Sequence, residues 1–201
     1  CGRCYEREVV PYKAVDTLMD DLTRRLSQID DAELHTLLPP GIRHLAKLFP
    51  VLLNNSLIAR MPPDAEIPMD PREARQRGFT ALRSLFHNLG HRWTVVLHVD
   101  DAQWGDADSA ILLGELLRPP ETPRFLLLCS FQSDERDSSA FLPTFQKQCE
   151  RVPEAIVTKD IALGPLEPVQ ARRLAGSLLN EQITAARYTN QIASETGGNP
   201  Y

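Results

Sequence analysis

Val95-Val-Leu-His-Val-Asp100-Asp101 is the stretch that decides the fold. From Trp93 to Val99 the residues are almost continuously apolar or β-branched, and two aspartates follow. A strand with one wet face alternates apolar and polar residues, whereas a continuous run marks a strand covered on both faces, as in a parallel sheet. Phe125-Leu-Leu-Leu-Cys-Ser130 repeats the pattern. Between the two runs lie a helix-forming stretch from Asp106 to Leu117 and the breaker Pro119-Pro120, and Ala155-Ile-Val-Thr158 offers a weaker third strand. Strand and helix in alternation predict an α/β core with a parallel sheet flanked by helices.

Upstream, the spacing of Val15, Leu18, Met19, Leu22, Leu26 and Ile29 gives one apolar stripe on a helix. Asp30-Asp31 caps a short helix through Leu38, Pro39-Pro40-Gly41 ends it, and Ile42, Leu45, Leu48, Phe49 and Leu52 mark another amphipathic stretch. Pro62, Pro63, Pro68 and Pro71 among acidic residues predict a loop between Arg60 and Arg72. A long helix then runs from Pro71 to Leu89. Beyond Gly164-Pro165 the chain turns helical again, with Pro168 in a first helical turn, Val169, Leu174 and Leu178 on one face, and a last helix ending at Gly197-Gly198.

Length and composition narrow the function. The 201 residues suffice for one core with a smaller helical appendage, and 42% hydrophobic with 24% charged residues is ordinary for a globular chain. A formal net charge of -5 argues against a nucleic-acid surface on this domain. The longest apolar run is too short to span a bilayer and no signal-peptide pattern opens the chain, so a cytoplasmic protein with no membrane partner is expected. Four cysteines are too few for a disulfide framework, and Cys1-Gly-Arg-Cys4 lacks the second pair a zinc site needs.

The acid pair carries the chemistry. A parallel strand delivers the residues at its carboxyl end into the crevice where α/β proteins bind ligands. There Asp100 can hold Mg²⁺ beside a triphosphate, and Asp101 can orient an attacking water, since phosphoryl transfer asks for positioning and charge neutralisation above all. A buried strand can also end in acids at a solvent-facing turn, with Asp106 and Asp108 capping the next helix. A phosphorylated receiver domain needs an aspartate at the end of a later strand, where this chain reads Cys129-Ser-Phe-Gln132.

Val99-Asp-Asp-Ala-Gln-Trp-Gly-Asp-Ala-Asp-Ser109 resembles the Walker B segment of the signal-transduction ATPases with numerous domains, an AAA+-related branch of the P-loop NTPases in which an hDD-x-QW-x-D-x-S run is typical. Other stretches match in order. Leu126 to Glu135 resembles the sensor strand and its exit, Leu163-Gly-Pro-Leu166 the entry to the helical lid, and Glu195-Thr-Gly-Gly-Asn-Pro-Tyr201 the lid's Gly-x-Pro loop. Gly2-Arg-Cys-Tyr-Glu-Arg-Glu8 and Val10-Pro-Tyr12 resemble the segment after the P-loop helix in versions fused to bacterial Ser/Thr protein kinases.

The resemblance implies an ATPase core over residues 1–161 and the start of a helical lid over 162–201. It implies ATP and Mg²⁺ as cofactors, Asp100 as metal ligand, Asp101 and Gln132 as catalytic residues, and Gly198 and Pro200 at the nucleotide. It further implies a switch in a multidomain bacterial signalling protein, with attached kinase or regulatory domains, helical repeats and other proteins as partners. An ATPase module of a transcriptional regulator and an inactive NTPase-like scaffold are the alternatives. No Gly-Lys dipeptide occurs in the chain, so the Walker A loop and first strand are expected upstream of residue 1. In the family that strand lies between those matching Phe125–Ser130 and 155–158, and the unpaired edge left by its absence predicts self-association of this chain. Gln132 stands where many relatives carry an arginine, which predicts slow hydrolysis, and Arg136 is close enough in sequence to substitute.

Other residues read as structural. His87 and His91 stand at i, i+4, but Gly90 interrupts their helix and no third ligand is in sight. Arg72, Arg75, Arg77 and Arg83 read as a solvated helix side, and His98 as a hydrogen-bonded core residue.

Overall fold

In the computed structural model, which describes residues 2–6, 10–62, 70–119, 122–152, 156–179 and 186–200, the chain runs β1 (Gly2–Arg3), α1 (Lys13–Leu26), α2 (Asp31–Leu37), α3 (Ile42–Leu48), α4 (Ser56–Arg60), α5 (Pro71–Arg92), β2 (Val95–Asp100), α6 (Ala107–Leu116), β3 (Phe125–Cys129), α7 (Phe141–Glu150), α8 (Pro168–Leu178) and α9 (Ala186–Glu195). Contacts divide it into two units, Cys1–Val157 and Thr158–Tyr201. The first is an α/β unit with a three-stranded parallel sheet in the order β1-β2-β3.

β2 and β3 pair from Val95 with Phe125 through Val99 with Cys129. On β2's other side, Gly2 pairs with Val99 and Arg3 with Asp100. One face of the sheet meets the core: Leu97 and Val99 join a cluster that includes Val15, Leu18 and Met19 of α1, Leu82 and Leu85 of α5, and Leu112 and Leu113 of α6. The other face departs from the expectation of a strand covered twice, since Val96, Leu126 and Leu128 keep 52%, 53% and 47% of their surface exposed. No described residue pairs with β3's outer edge. Ile156 to Thr158 form no strand, Val157 is fully exposed, and Ala155 lies outside the described residues.

The helices follow their apolar stripes, with two departures. After α3 the chain takes a 3-10 turn at Pro50–Asn54 and then forms α4, whose start is fixed by the Asn55 side chain accepting from the Leu57 and Ile58 N–H groups, each at 3.1 Å. α5 passes through Gly90 to Arg92 rather than stopping. A Cβ at Gly90 would lie 2.6 Å from the Arg124 carbonyl oxygen, so glycine there permits close approach to the segment entering β3. Of the proline-rich loop, residues 63–69 lie outside the described residues, and Asp70 then caps α5 by accepting from the Arg72 N–H at 3.0 Å.

In the second unit, Pro168 opens α8 and Gln170 accepts from the Glu167 N–H at 3.2 Å, a side-chain cap on the first turn. Gly197 and Gly198 follow α9 in the left-handed region, at φ 57° and 84°. The Leu166 N–H donates to the Gly198 carbonyl at 2.8 Å, which joins the lead-in of α8 to the end of α9. On the face that carries Val169, Leu174 and Leu178, Val169 and Leu178 are 62% and 74% exposed. No helix among the described residues is long and apolar enough to cross a membrane.

Candidate functional site

β2 ends at Asp100, and the chain must leave the sheet within one residue. Its neighbours pin the exit: the Cys4 N–H donates to the Asp100 carbonyl at 3.0 Å from the β1 side, and the Ala102 N–H donates to the Ser130 carbonyl at 2.8 Å on the β3 side. Asp101, between these anchors, sits in the left-handed region at φ 54°, one of two described non-glycine residues with positive φ. Aspartate visits this region more readily than most residues, at a cost of about 1 kcal/mol. The Trp104 N–H then donates to the Asp101 carbonyl at 3.0 Å and starts a 3-10 turn over Ala102–Trp104.

Both carboxylates lie at the carboxyl end of β2 but have different company. Asp100 Oδ1 accepts from the Ser130 hydroxyl at 2.5 Å, and His98 Nε2 lies 3.3 Å from the same hydroxyl. Asp101 Oδ2 takes Nε and a terminal nitrogen of Arg3, each at 3.0 Å, while Oδ1 accepts from Gln103 Nε2 at 3.3 Å. Arg3 Nε is 3.9 Å from Asp100, so one guanidinium faces both acids. The β1 register produces this, because it sets Arg3 directly beside Asp100.

The rest of the loop is closed. Asp106 Oδ1 accepts from the Ser109 N–H at 2.8 Å and from the Tyr12 N–H at 3.1 Å, and Oδ2 accepts from the Ser109 hydroxyl at 2.5 Å. The Ala14 N–H donates to the Ser109 hydroxyl at 3.2 Å. Two helix N-termini, those of α1 and α6, are thereby capped by one pair of side chains. Burial alone raises the Asp106 carboxyl, but the bonds from the Ser109 hydroxyl and the Ser109, Tyr12 and Ala14 amides outweigh it and hold the group below the usual carboxylate range. Beside this knot, Arg75 departs from its expected solvated role: it lies over the Tyr12 ring, 5.3 Å from the centroid, and pairs with Asp108 at 2.6 Å.

The structure brings Asp100, Asp101 and Gln132 to one end of the sheet. Gln132 takes part through its backbone, its N–H donating to Gln103 Oε1 at 3.3 Å. Arg136 is engaged elsewhere, over the Phe131 ring at 5.7 Å and with Gln146 at 3.4 Å. Gly198 and Pro200 belong to the second unit, where Gly198 is buried and Pro200 exposed. His87 and His91 approach each other, Nε2 to Nε2 at 3.2 Å, and no group of three or more potential metal ligands gathers among the described residues. Arg3, Ser130 and Gln103 are the site residues that sequence reasoning did not assign. Gln103 lay inside the quoted motif, whereas Arg3 and Ser130 are set beside the acids only by strand pairing. Cys129 is half-buried and its thiol is pushed up to about 12, first by desolvation and then by the nearby Cys149 and Cys4 thiols, so it is inert at neutral pH.

No family model, curated protein or solved structure matches this chain.

Proposed function

We propose that this chain is the nucleotide-hydrolysing core of a P-loop signalling ATPase, acting as an ATP-dependent switch in a multidomain protein. The observation that carries the reading is the acid pair at the carboxyl end of a parallel strand, with Ser130 at the end of the adjacent strand beside it. The donor set fits Mg²⁺ delivered with a nucleotide, which asks the protein for one or two carboxylates and leaves the remaining positions to water and phosphate. Bound Mg²⁺ supplies charge neutralisation at the phosphates. Asp100 and the Ser130 hydroxyl would hold it, and Asp101 would orient the attacking water, with Gln132 at the exit of β3. On this reading the phosphate-binding loop lies outside the 201 residues, since no Gly-Lys dipeptide occurs among them. The helical second unit serves as a lid segment, and attached kinase or regulatory domains receive the output.

The test is nucleotide binding with and without that loop. The 201-residue chain alone should bind ATP no tighter than about millimolar, because without a phosphate nest its contacts are too few to offset the entropy of association. The protein carrying the loop should bind MgATP in the micromolar range by calorimetry, and Asp100→Ala should weaken the Mg²⁺-dependent part. Failure of the longer protein to bind nucleotide would overturn the reading in favour of a scaffold, and micromolar binding by the chain alone would place the phosphate site elsewhere. The outer edge of β3, which no described residue pairs, and the exposed Val96, Leu126 and Leu128 also support self-association of the 201-residue chain. Light scattering should therefore show a dimer or larger species.

A further inference from the structure

We infer that Gln103 is the positioning residue for Asp101, fixing the direction of its carboxylate and tying it to the exit of β3 at Gln132. Gln103 is 4% exposed although its side chain is polar. Burying an amide is costly unless both ends are satisfied, and here both are: Nε2 donates to Asp101 Oδ1 at 3.3 Å, and Oε1 accepts from the Gln132 N–H at 3.3 Å. Glutamine suits this place because it offers a donor and an acceptor at fixed separation. Glutamate offers two acceptors and methionine offers neither.

The second anchor of Asp101 is of another kind. Arg3 has 59% of its side chain exposed, so it supplies opposite charge but a loosely defined direction. Direction comes from the buried amide, and a left-handed backbone at φ 54° needs its surroundings to over-determine it. The loop after β2 and the exit of β3 are joined twice, once through the backbone by the Ala102 N–H on the Ser130 carbonyl and once through this side chain. A shift at Gln132 thus reaches the Asp101 carboxylate through one rigid amide. What Asp101 does rests on the nucleotide reading; that Gln103 links it to Gln132 does not.

Two measurements test this. In the protein carrying its phosphate loop, Gln103→Met should lower kcat about tenfold or more while MgATP affinity stays within about threefold, the split expected when a reacting group is misaimed. Gln103→Glu keeps the acceptor for the Gln132 N–H but loses the donor to Asp101, so it should do no better. Restoration of wild-type kcat by Gln103→Glu would overturn the inference, leaving only a loop contact. On the 201-residue chain, Asp101→Gly keeps the left-handed backbone without strain and removes the acceptor. Hydrogen exchange of the Gln132 amide should then quicken about threefold or more, with overall fold unchanged by circular dichroism. Unchanged Gln132 exchange in Asp101→Gly would overturn the link whatever the turnover. Absence of ATP hydrolysis by the wild type would count against the nucleotide reading, and the exchange experiment would still decide Gln103.

Discussion

Asp101 and Asp106 stand in one short loop of the same recognisable sequence run, yet they are built for opposite ends. Asp106 is wrapped by the Ser109 hydroxyl and by amides of α1 and α6, all its bonds internal and all of them closing helix ends. Asp101 is held by an exposed arginine and one amide, in a left-handed backbone, at the mouth of the sheet. One aspartate maximises satisfied hydrogen bonds and the other retains an anion near solvent at the cost of local strain. A sequence motif can therefore mix residues that keep the loop in shape with residues that the shape serves, and the partners of each carboxylate sort them.

The largest effect that separates the two is on turnover. On the proposed reading, in which Asp101 orients the attacking water, Asp101→Asn in a longer protein carrying a phosphate loop should lower phosphate release by about 10²-fold or more while MgATP binding stays within about tenfold. Asp106→Asn should change turnover only as far as it unfolds the protein. Equal turnover in wild type and Asp101→Asn would erase the functional half of the contrast.

On stability the ranking reverses. Asp106→Ala strands the Tyr12 and Ser109 N–H groups at two helix starts, and caps and charge-assisted bonds of this kind put the loss at about 2–4 kcal/mol. Asp101→Asn, which keeps an αL-tolerant side chain and loses only the exposed pairing with Arg3, should cost below about 1 kcal/mol. Urea denaturation of the 201-residue chain measures both, and a near-neutral Asp106→Ala would show the knot to be unimportant.

Acid titration sharpens the same point. The folded carboxyl of Asp106 lies below its ordinary value of 3.8, so its stabilisation is complete above that value and disappears as pH falls through the lowered one. Wild type should thus lose stability below about pH 4 more steeply than Asp106→Asn, with parallel curves at higher pH. Parallel curves down to the acid transition would mean that the Ser109 and Tyr12 bonds do not favour the charged form.

How much of this was legible in the sequence varies with the range of the interaction. β2 and β3 were readable because continuous β-branched and aliphatic residues have few other uses, and α5 because its stripe is long. β1 was not, since Gly2 and Arg3 become a strand only through pairing with Val99 and Asp100. The missed α4 was locally encoded by the Asn55 cap, a signal hidden beneath the amphipathic reading of the residues before it. Ile156 and Val157 show the converse, β-branched residues that pair with no described strand and form none themselves. Asp100 and Asp101 were found as a pair, but Arg3 reaches Asp101 across a separation of 98 residues, which no local pattern records.

That long-range contact gives the smallest effect. The Arg3 side chain is 59% exposed and that of Asp101 17%, so their attraction works largely through water and is offset by the entropy of ordering a long side chain. A double-mutant cycle of Arg3→Gln and Asp101→Asn should return a coupling of about 0.2–1 kcal/mol, falling toward zero by about 1 M salt, where the screening length is about 3 Å. The matching cycle of Asp106→Asn and Ser109→Ala should return about 1 kcal/mol or more and change little with salt, because that bond is short and sheltered from ions. Salt dependence separates the two cases more cleanly than magnitude, since small couplings overlap within error. If the Arg3–Asp101 coupling persisted unchanged in high salt, the guanidinium would be acting as a buried structural anchor, and Asp101 would belong with Asp106 rather than opposite it.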